Sequence, residues 1–142
     1  MKHCFAEGGS PYFCGGGSTD SVSDITDLCY TYTAALDEWV ISGTMAEGRC
    51  VSGYGSSESW GLVMAGGYGL ATVATTDDGE SFGSLPDLPD ESERSCLAII
   101  DDDRLFKCGG SPSSTSFDTL IFSKSTNSWS RHAMLEERLS NI

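Results

Sequence analysis

One signature recurs three times along the chain at nearly equal intervals, and no other feature restricts the fold as much. An apolar segment ends in paired glycines at YFCGGG (Tyr12 to Gly17), VMAGG (Val63 to Gly67) and FKCGG (Phe106 to Gly110). Glycine in a strand packs nothing and costs conformational entropy, so a pair repeated in the same context needs a structural reason. Downstream of each pair lies an alternating stretch, CYTYTAAL, ATVATTD or TLIFSKS, which reads as a strand. An aromatic residue then opens a further strand: Trp39, Phe82 and Trp129. Two copies go on to M-x-E-x-R, in MAEGR and MLEER, while the middle copy is the looser LPDLPDESER. The closing residues Arg49, Arg94 and Arg138 are 45 and 44 residues apart, and Cys4, Cys50 and Cys96 are separated by 46 and 46.

A repeat of this length holds four short strands and no helix-length 3.6-residue pattern, so the expected class is all-β. In the middle copy the strands, A to D, are RCVSGYG, WGLVMAGG, ATVATTD and SFGSLPDLP. One four-stranded antiparallel sheet cannot bury both faces alone. Stacking copies around an axis covers each face with a neighbour and leaves only short edges. The glycine pairs Gly15–Gly16, Gly66–Gly67 and Gly109–Gly110 then end strand B, where neighbouring backbones and the strand D aromatic are expected to come close.

These residues resemble the kelch repeat: an apolar strand ending in Gly-Gly, a variable loop, an aromatic-rich third strand, a Trp opening the fourth, then Met or Leu and Arg. The first copy (1–48) carries Gly15, Gly16, Tyr30, Tyr32, Trp39 and Met45, closed by Arg49; the third (95–137) carries Gly109, Gly110, Phe122, Trp129 and Met134, closed by Arg138. The second (49–94) departs, with Phe82 for Trp and a Pro-rich turn before Arg94, and 138–142 begins a further copy. The resemblance covers the whole of 1–142. It implies a single partial β-propeller of three four-stranded blades, used mostly to bind other proteins. Three blades do not close an ordinary ring, which takes about four to eight. Either the chain belongs to a longer propeller, the expectation favoured here, or three-blade chains form a homo-oligomer through their open edges.

Charge narrows the partners. With 21 acidic against 8 basic residues, the formal net charge of −13 repels phosphate backbones and anionic membranes. No apolar run of about 18 residues is present, so no membrane insertion is expected. In propellers of this strand order the B–C and D–A loops share one face. Here that face is acidic, and a basic protein partner is expected to meet Asp20, Asp24, Asp87, Asp90 and Asp118, with Arg49, Arg94 and Arg138 near the blade junctions.

Six cysteines pair without remainder but allow 15 connectivities. Placing them on strands A, B and C gives Cys4–Cys14, Cys29–Cys50 and Cys96–Cys108 as candidate bridges. The competing reading is six free, buried thiols. Paired cysteines imply an extracellular, disulfide-stapled structural module; free ones imply a cytoplasmic adaptor.

Catalytic readings weigh less. TTDDGESF (Thr75 to Phe82) fits the Asp-box form of sialidases and related propeller glycosidases, with Asp77 accepting turn amides and Gly79 taking an unusual φ. In those families the box lies far from the chemistry. A sialidase-like fragment would also enlist Arg49, Arg94 and Arg138 as a carboxylate trio with Tyr54 or Tyr68 as nucleophile, but their repeat position explains the arginines. No cofactor or metal is expected: only His3 and His132 are available, no Cys-x-x-Cys occurs, and the Asp101–Asp103 run reads as a solvated A–B turn. The reading is therefore a non-catalytic protein-interaction scaffold.

Overall fold

A computed structural model describes residues 10–17, 22–111 and 118–132. Among the described residues eleven strands form three antiparallel sheets, each a simple up-and-down meander in sequence order. Sheet 1 contains β1 (Tyr12–Cys14), β2 (Leu28–Thr33) and β3 (Glu38–Thr44). Sheet 2 contains β4 (Gly53–Ser57), β5 (Gly61–Gly67), β6 (Leu70–Thr76) and β7 (Gly83–Leu85). Sheet 3 contains β8 (Cys96–Ile99), β9 (Arg104–Cys108), β10 (Thr119–Ser123) and β11 (Ser128–Arg131). Apart from a 3-10 turn at Val22–Asp24, no helix occurs among the described residues. The all-β expectation holds, and the repeated strand order follows the sequence repeat.

Sheet 2 lies between two apolar cores, and β5 supplies both. Leu62 and Met64 point into one core with Tyr12, Cys14, Cys29 and Met45 of the first repeat. Val63 and Ala65 point the other way, against Leu97, Leu105, Leu120 and Phe122 of sheet 3. Alternation along a strand sends successive side chains to opposite faces, so burial on both sides demands an apolar run without polar interruption. Every residue of β5 is buried. Trp60 and Trp129 close the second core, donating their indole N–H groups to Asp101 O and Pro86 O at 2.8 Å each.

The glycine pairs have a backbone reason. All six glycines take positive φ, with Gly66 at +69° and Gly67 at +134° and the other pairs alike, a region that costs L-residues free energy. The first two pairs also lie against the connection that leads to the next sheet, and Gly110 lies against Glu93 and Ser95 of the β7–β8 connection. Gly16 N–H donates to Arg49 O at 2.7 Å and Gly67 N–H to Ser92 O at 2.9 Å. A Cβ on Gly15 would sit 2.5 Å from Arg49 O. The approaching group is thus the connecting backbone, one of the two neighbours expected from sequence; the other, the aromatic of the last strand, is not among the nearest atoms.

Two further expectations are corrected. Cys50 does not stand where Cys96 stands: Cys96 opens β8, whereas Cys50 lies on the connection ahead of β4. Gly53 and Gly55, not a cysteine, are β4 residues that face the adjoining sheet: a Cβ on Gly53 would meet Ser95 Oγ at 2.8 Å and Leu97 Cβ at 3.2 Å, and one on Gly55 would meet Ile99 Cγ1 at 3.5 Å. In the 75–82 turn the carboxylate that accepts the amides is Asp78, not Asp77. Asp78 Oδ1 takes the N–H groups of Glu80 and Ser81 at 2.8 Å, and Thr76 Oγ1 takes that of Gly79 at 2.9 Å. Those backbone donors hold the Asp78 carboxyl below the usual aspartate range. Gly79, at φ +74°, turns the chain against the Tyr12 ring as its positive φ requires.

Candidate functional site

The connections that follow β1, β3, β5 and β7 are woven together at one end of the sheets. Thr26 N–H donates to Gly16 O, Arg49 N–H to Thr26 O, Tyr68 N–H to Cys50 O and Ser92 N–H to Leu70 O. The sequence placed its acidic face here, and the candidate residues divide into three groups. Asp24 and Asp87 are exposed. Asp90 and Asp118 hold the Arg131 guanidinium between them, at 2.6 and 3.0 Å. Arg94 pairs with neighbouring Glu93 at 2.9 Å. Asp20 and Arg138 lie outside the described residues. Arg131 was missed from sequence, although its place as the last residue of β11, at this end of sheet 3, was the available signal.

Arg49 is not a surface residue, which corrects its assignment to partner binding. It is 3% exposed. Its guanidinium donates to Gly66 O at 2.7 Å, Thr72 O at 2.9 Å and Thr72 Oγ1 at 2.6 Å. Burial lowers its pKa, opposed by Glu47 nearby. The side chain therefore locks the β3–β4 connection onto the glycine end of β5.

Arg94 holds the same repeat position but does not do this in sheet 3. There the first glycine of the pair is served by Lys107, a residue with no functional signal in the sequence. Lys107 is 1% exposed, and its Nζ donates to Gly109 O at 2.8 Å. Burial pushes its pKa down to about 8, against the pull of Asp118. A base whose folded pKa lies below its unfolded value destabilises the fold while charged, so this penalty is relieved as pH rises from about 8 to about 10.5. The difference in unfolding free energy between wild type and Lys107→Met should accordingly change across that window by on the order of 3 kcal/mol. Urea melts of both proteins from pH 7 to 10.5 measure it; parallel curves would show that Lys107 is not buried as a cation.

Of the arginines enlisted for catalysis, Arg138 lies outside the described residues, Arg49 gives three hydrogen bonds to Gly66 and Thr72, and Arg94 pairs with Glu93. Tyr54 is half-buried, and burial raises its phenol pKa, the reverse of an activated nucleophile. Tyr68 is exposed on the β5–β6 turn. The Asp101–Asp103 run forms the β8–β9 turn: Asp101 binds Arg104 through Nε and Nη2 at 2.9 and 2.6 Å, and Asp103 accepts from Ser123 Oγ at 2.6 Å. Each contact depresses the carboxyl it touches. Among the described residues no His, Cys, Asp and Glu side chains gather to hold a metal ion, and no helix is long and apolar enough to cross a membrane.

The cysteine pairing differs from the expected one. Cys14 and Cys29, direct partners across β1 and β2 with Cα atoms 4.1 Å apart, form a disulfide. That bond takes the half-cystines assigned to Cys4–Cys14 and Cys29–Cys50, and Cys4 lies outside the described residues. Cys50 is a free, buried thiol. Cys96 and Cys108 face each other across β8 and β9 as expected, yet both are free. Burial first, then Cys96, raises the Cys108 thiol pKa. The Cys14–Cys29 bond closes a 15-residue separation, for which chain entropy gives about 3 kcal/mol of stabilisation. Reduction, or the Cys14→Ala/Cys29→Ala double variant, should lower the urea-derived stability by about that amount. An unchanged midpoint would contradict the bond.

The arrangement offers an acidic, backbone-braced end. No protein-family model matches the chain, and no curated protein matches it.

Proposed function

We propose that the chain is a kelch-type propeller segment acting as a non-catalytic scaffold, and that its acidic end binds a basic protein segment. The observation that carries this reading is the hydrogen-bonded weave of connections at the end of the sheets that carries exposed Asp24 and Asp87 and the Asp90–Arg131–Asp118 group. Carboxylates held on a rigid frame attract a cationic segment without ordering cost at the moment of binding. The stacked meanders, the three glycine pairs of positive φ and the close approach of β4 to β8 support the propeller architecture. Fluorescence anisotropy with a labelled Lys/Arg-rich peptide tests the binding. It should weaken as salt is raised and fall further in an Asp87→Asn/Asp90→Asn variant, while a Glu-rich peptide gives no signal. Equal binding by both peptides, or none by either, would overturn the charge-directed reading.

The glycosidase alternative rests on the 75–82 turn, which lies at the opposite end from the acidic face and spends its polar groups on turn amides. Release of chromophore from a chromogenic sialoside by the purified chain would restore it. The extracellular structural module draws support from the Cys14–Cys29 bond.

A further inference from the structure

Sheet 1 presents a face that sheet 3 keeps covered. In sheet 3, Phe122 and its cross-strand partner Trp129 lie 5.3 Å apart between ring centroids and pack with Leu105 and Leu120 against Val63, Ala65 and Val73 of sheet 2. The matching pair in sheet 1 is Tyr32 and Trp39, partners at the same place in the last two strands, with centroids 5.5 Å apart. Phe13 and Tyr30 extend this aromatic surface, stacked at 5.0 Å. It points away from sheet 2, because Tyr12, Cys14 and Cys29 occupy the face turned towards Leu62 and Met64. Among the described residues nothing corresponding to sheet 2 lies over it, and Trp39 is 43% and Ile41 60% exposed.

The far side of sheet 3 carries the complementary surface. Leu97, Leu105 and Leu120 face sheet 2, so strand alternation turns the row Ala98–Phe106–Ile121 outward. In sheet 2 the equivalent row, Gly55–Val63–Thr75, is the surface that meets sheet 3. Among the described residues the stack therefore contains two such interfaces, sheet 1 on sheet 2 and sheet 2 on sheet 3, and its two outer faces are the halves of another.

We infer that these halves meet between two copies of the chain. The Ala98–Phe106–Ile121 face of one copy covers the Tyr30–Tyr32–Trp39–Ile41 face of the other, continuing the contact already made between sheets 2 and 3. The contact is head-to-tail, and such contacts close into rings or run on as fibres. Two copies supply six sheets, within the range of about four to eight that closes a propeller, whereas one copy does not. This inference rests on the propeller reading above.

Light scattering on the full chain at micromolar concentration tests it. Twice the chain mass is expected. Trp39→Asp and Ile121→Asp should each give a monomer that keeps its β circular dichroism and a cooperative melt. Mixed in equal amounts, the two variants should return to the dimeric mass, because the mixed pair can build one undamaged interface. A wild-type monomer with a cooperative melt overturns self-closure and leaves the stacked-sheet reading in place. An open series of masses overturns two-copy closure. A dimer that survives Ile121→Asp but not Trp39→Asp means that sheet 1 faces meet each other, which overturns the ring as well.

Discussion

Gly66→Ala is expected to lower the unfolding free energy by about 4 kcal/mol or more, with loss of the cooperative melt as the extreme outcome. Two costs add. At φ +69° an L-residue enters the left-handed region, which costs roughly 1–2 kcal/mol. The new methyl would also be driven into Ser92 O, well inside the 3.0 Å below which real Cβ contacts essentially do not occur. That oxygen belongs to the β7–β8 connection and accepts the Gly67 N–H, so it cannot retreat without breaking the bond. Gly69→Ala separates the two costs. Its φ is +68°, but nothing lies within 4 Å of its would-be Cβ, so only the conformational penalty of about 1–2 kcal/mol applies. Thermal and urea melts of both variants decide the matter; equal losses would show that the close approach to Ser92 is not what the glycine serves.

Arg49→Ala should cost about 3–4 kcal/mol. Removing the guanidinium leaves Thr72 O and Thr72 Oγ1 without its donors, while Gly66 O keeps only Ser52 Oγ at 3.0 Å. Hydrogen bonds to a charged group are worth about 1.5–3 kcal/mol each, and buried groups left unmatched pay their desolvation in full. Arg94→Ala supplies the contrast. Arg94 shares the repeat position but reaches only its neighbour Glu93, a half-exposed pair whose loss should cost less than about 1 kcal/mol. If both substitutions cost alike, the division of labour between Arg49 and Lys107 at the two glycine ends is wrong.

The strands, and the ends of those that run into the glycine pairs, were legible because period-two alternation and the glycine pairs are local signals. By contrast, β4 starts only at Gly53 and β7 spans only Gly83–Leu85, leaving Phe82 outside it. Glycine permits the positive φ found at the paired ends but does not dictate it, since Gly43 and Gly53 lack it. Other features depended on neighbours that no local pattern names. Asp77 and Asp78 both fit the turn, and only the positions of the Glu80 and Ser81 amides select Asp78. Arg49 and Arg94 occupy one repeat position, but Lys107 already serves Gly109 O in sheet 3. Lys107 itself reads as a solvated residue between Phe106 and Cys108, since a lysine buried at 1% exposure is rare in any strand. The Cys14–Cys29 bond required the β1–β2 register. The acidic end was visible as composition; the cation held between Asp90 and Asp118, Arg131, was not.

The two-sided burial of β5 also sets how the molecule can move. Sheets 1 and 3 can loosen one at a time, each giving up a single core. Exposing the amides of Leu62 to Ala65 means opening both cores together, because side chains two residues apart anchor one core and those between them anchor the other. Solvent hydrogens should therefore reach this segment only when the whole chain unfolds, while the outer strands exchange through smaller openings. The middle of the sequence thus acts as the clock of the fold, its exchange rate reporting global stability where its neighbours report local fraying.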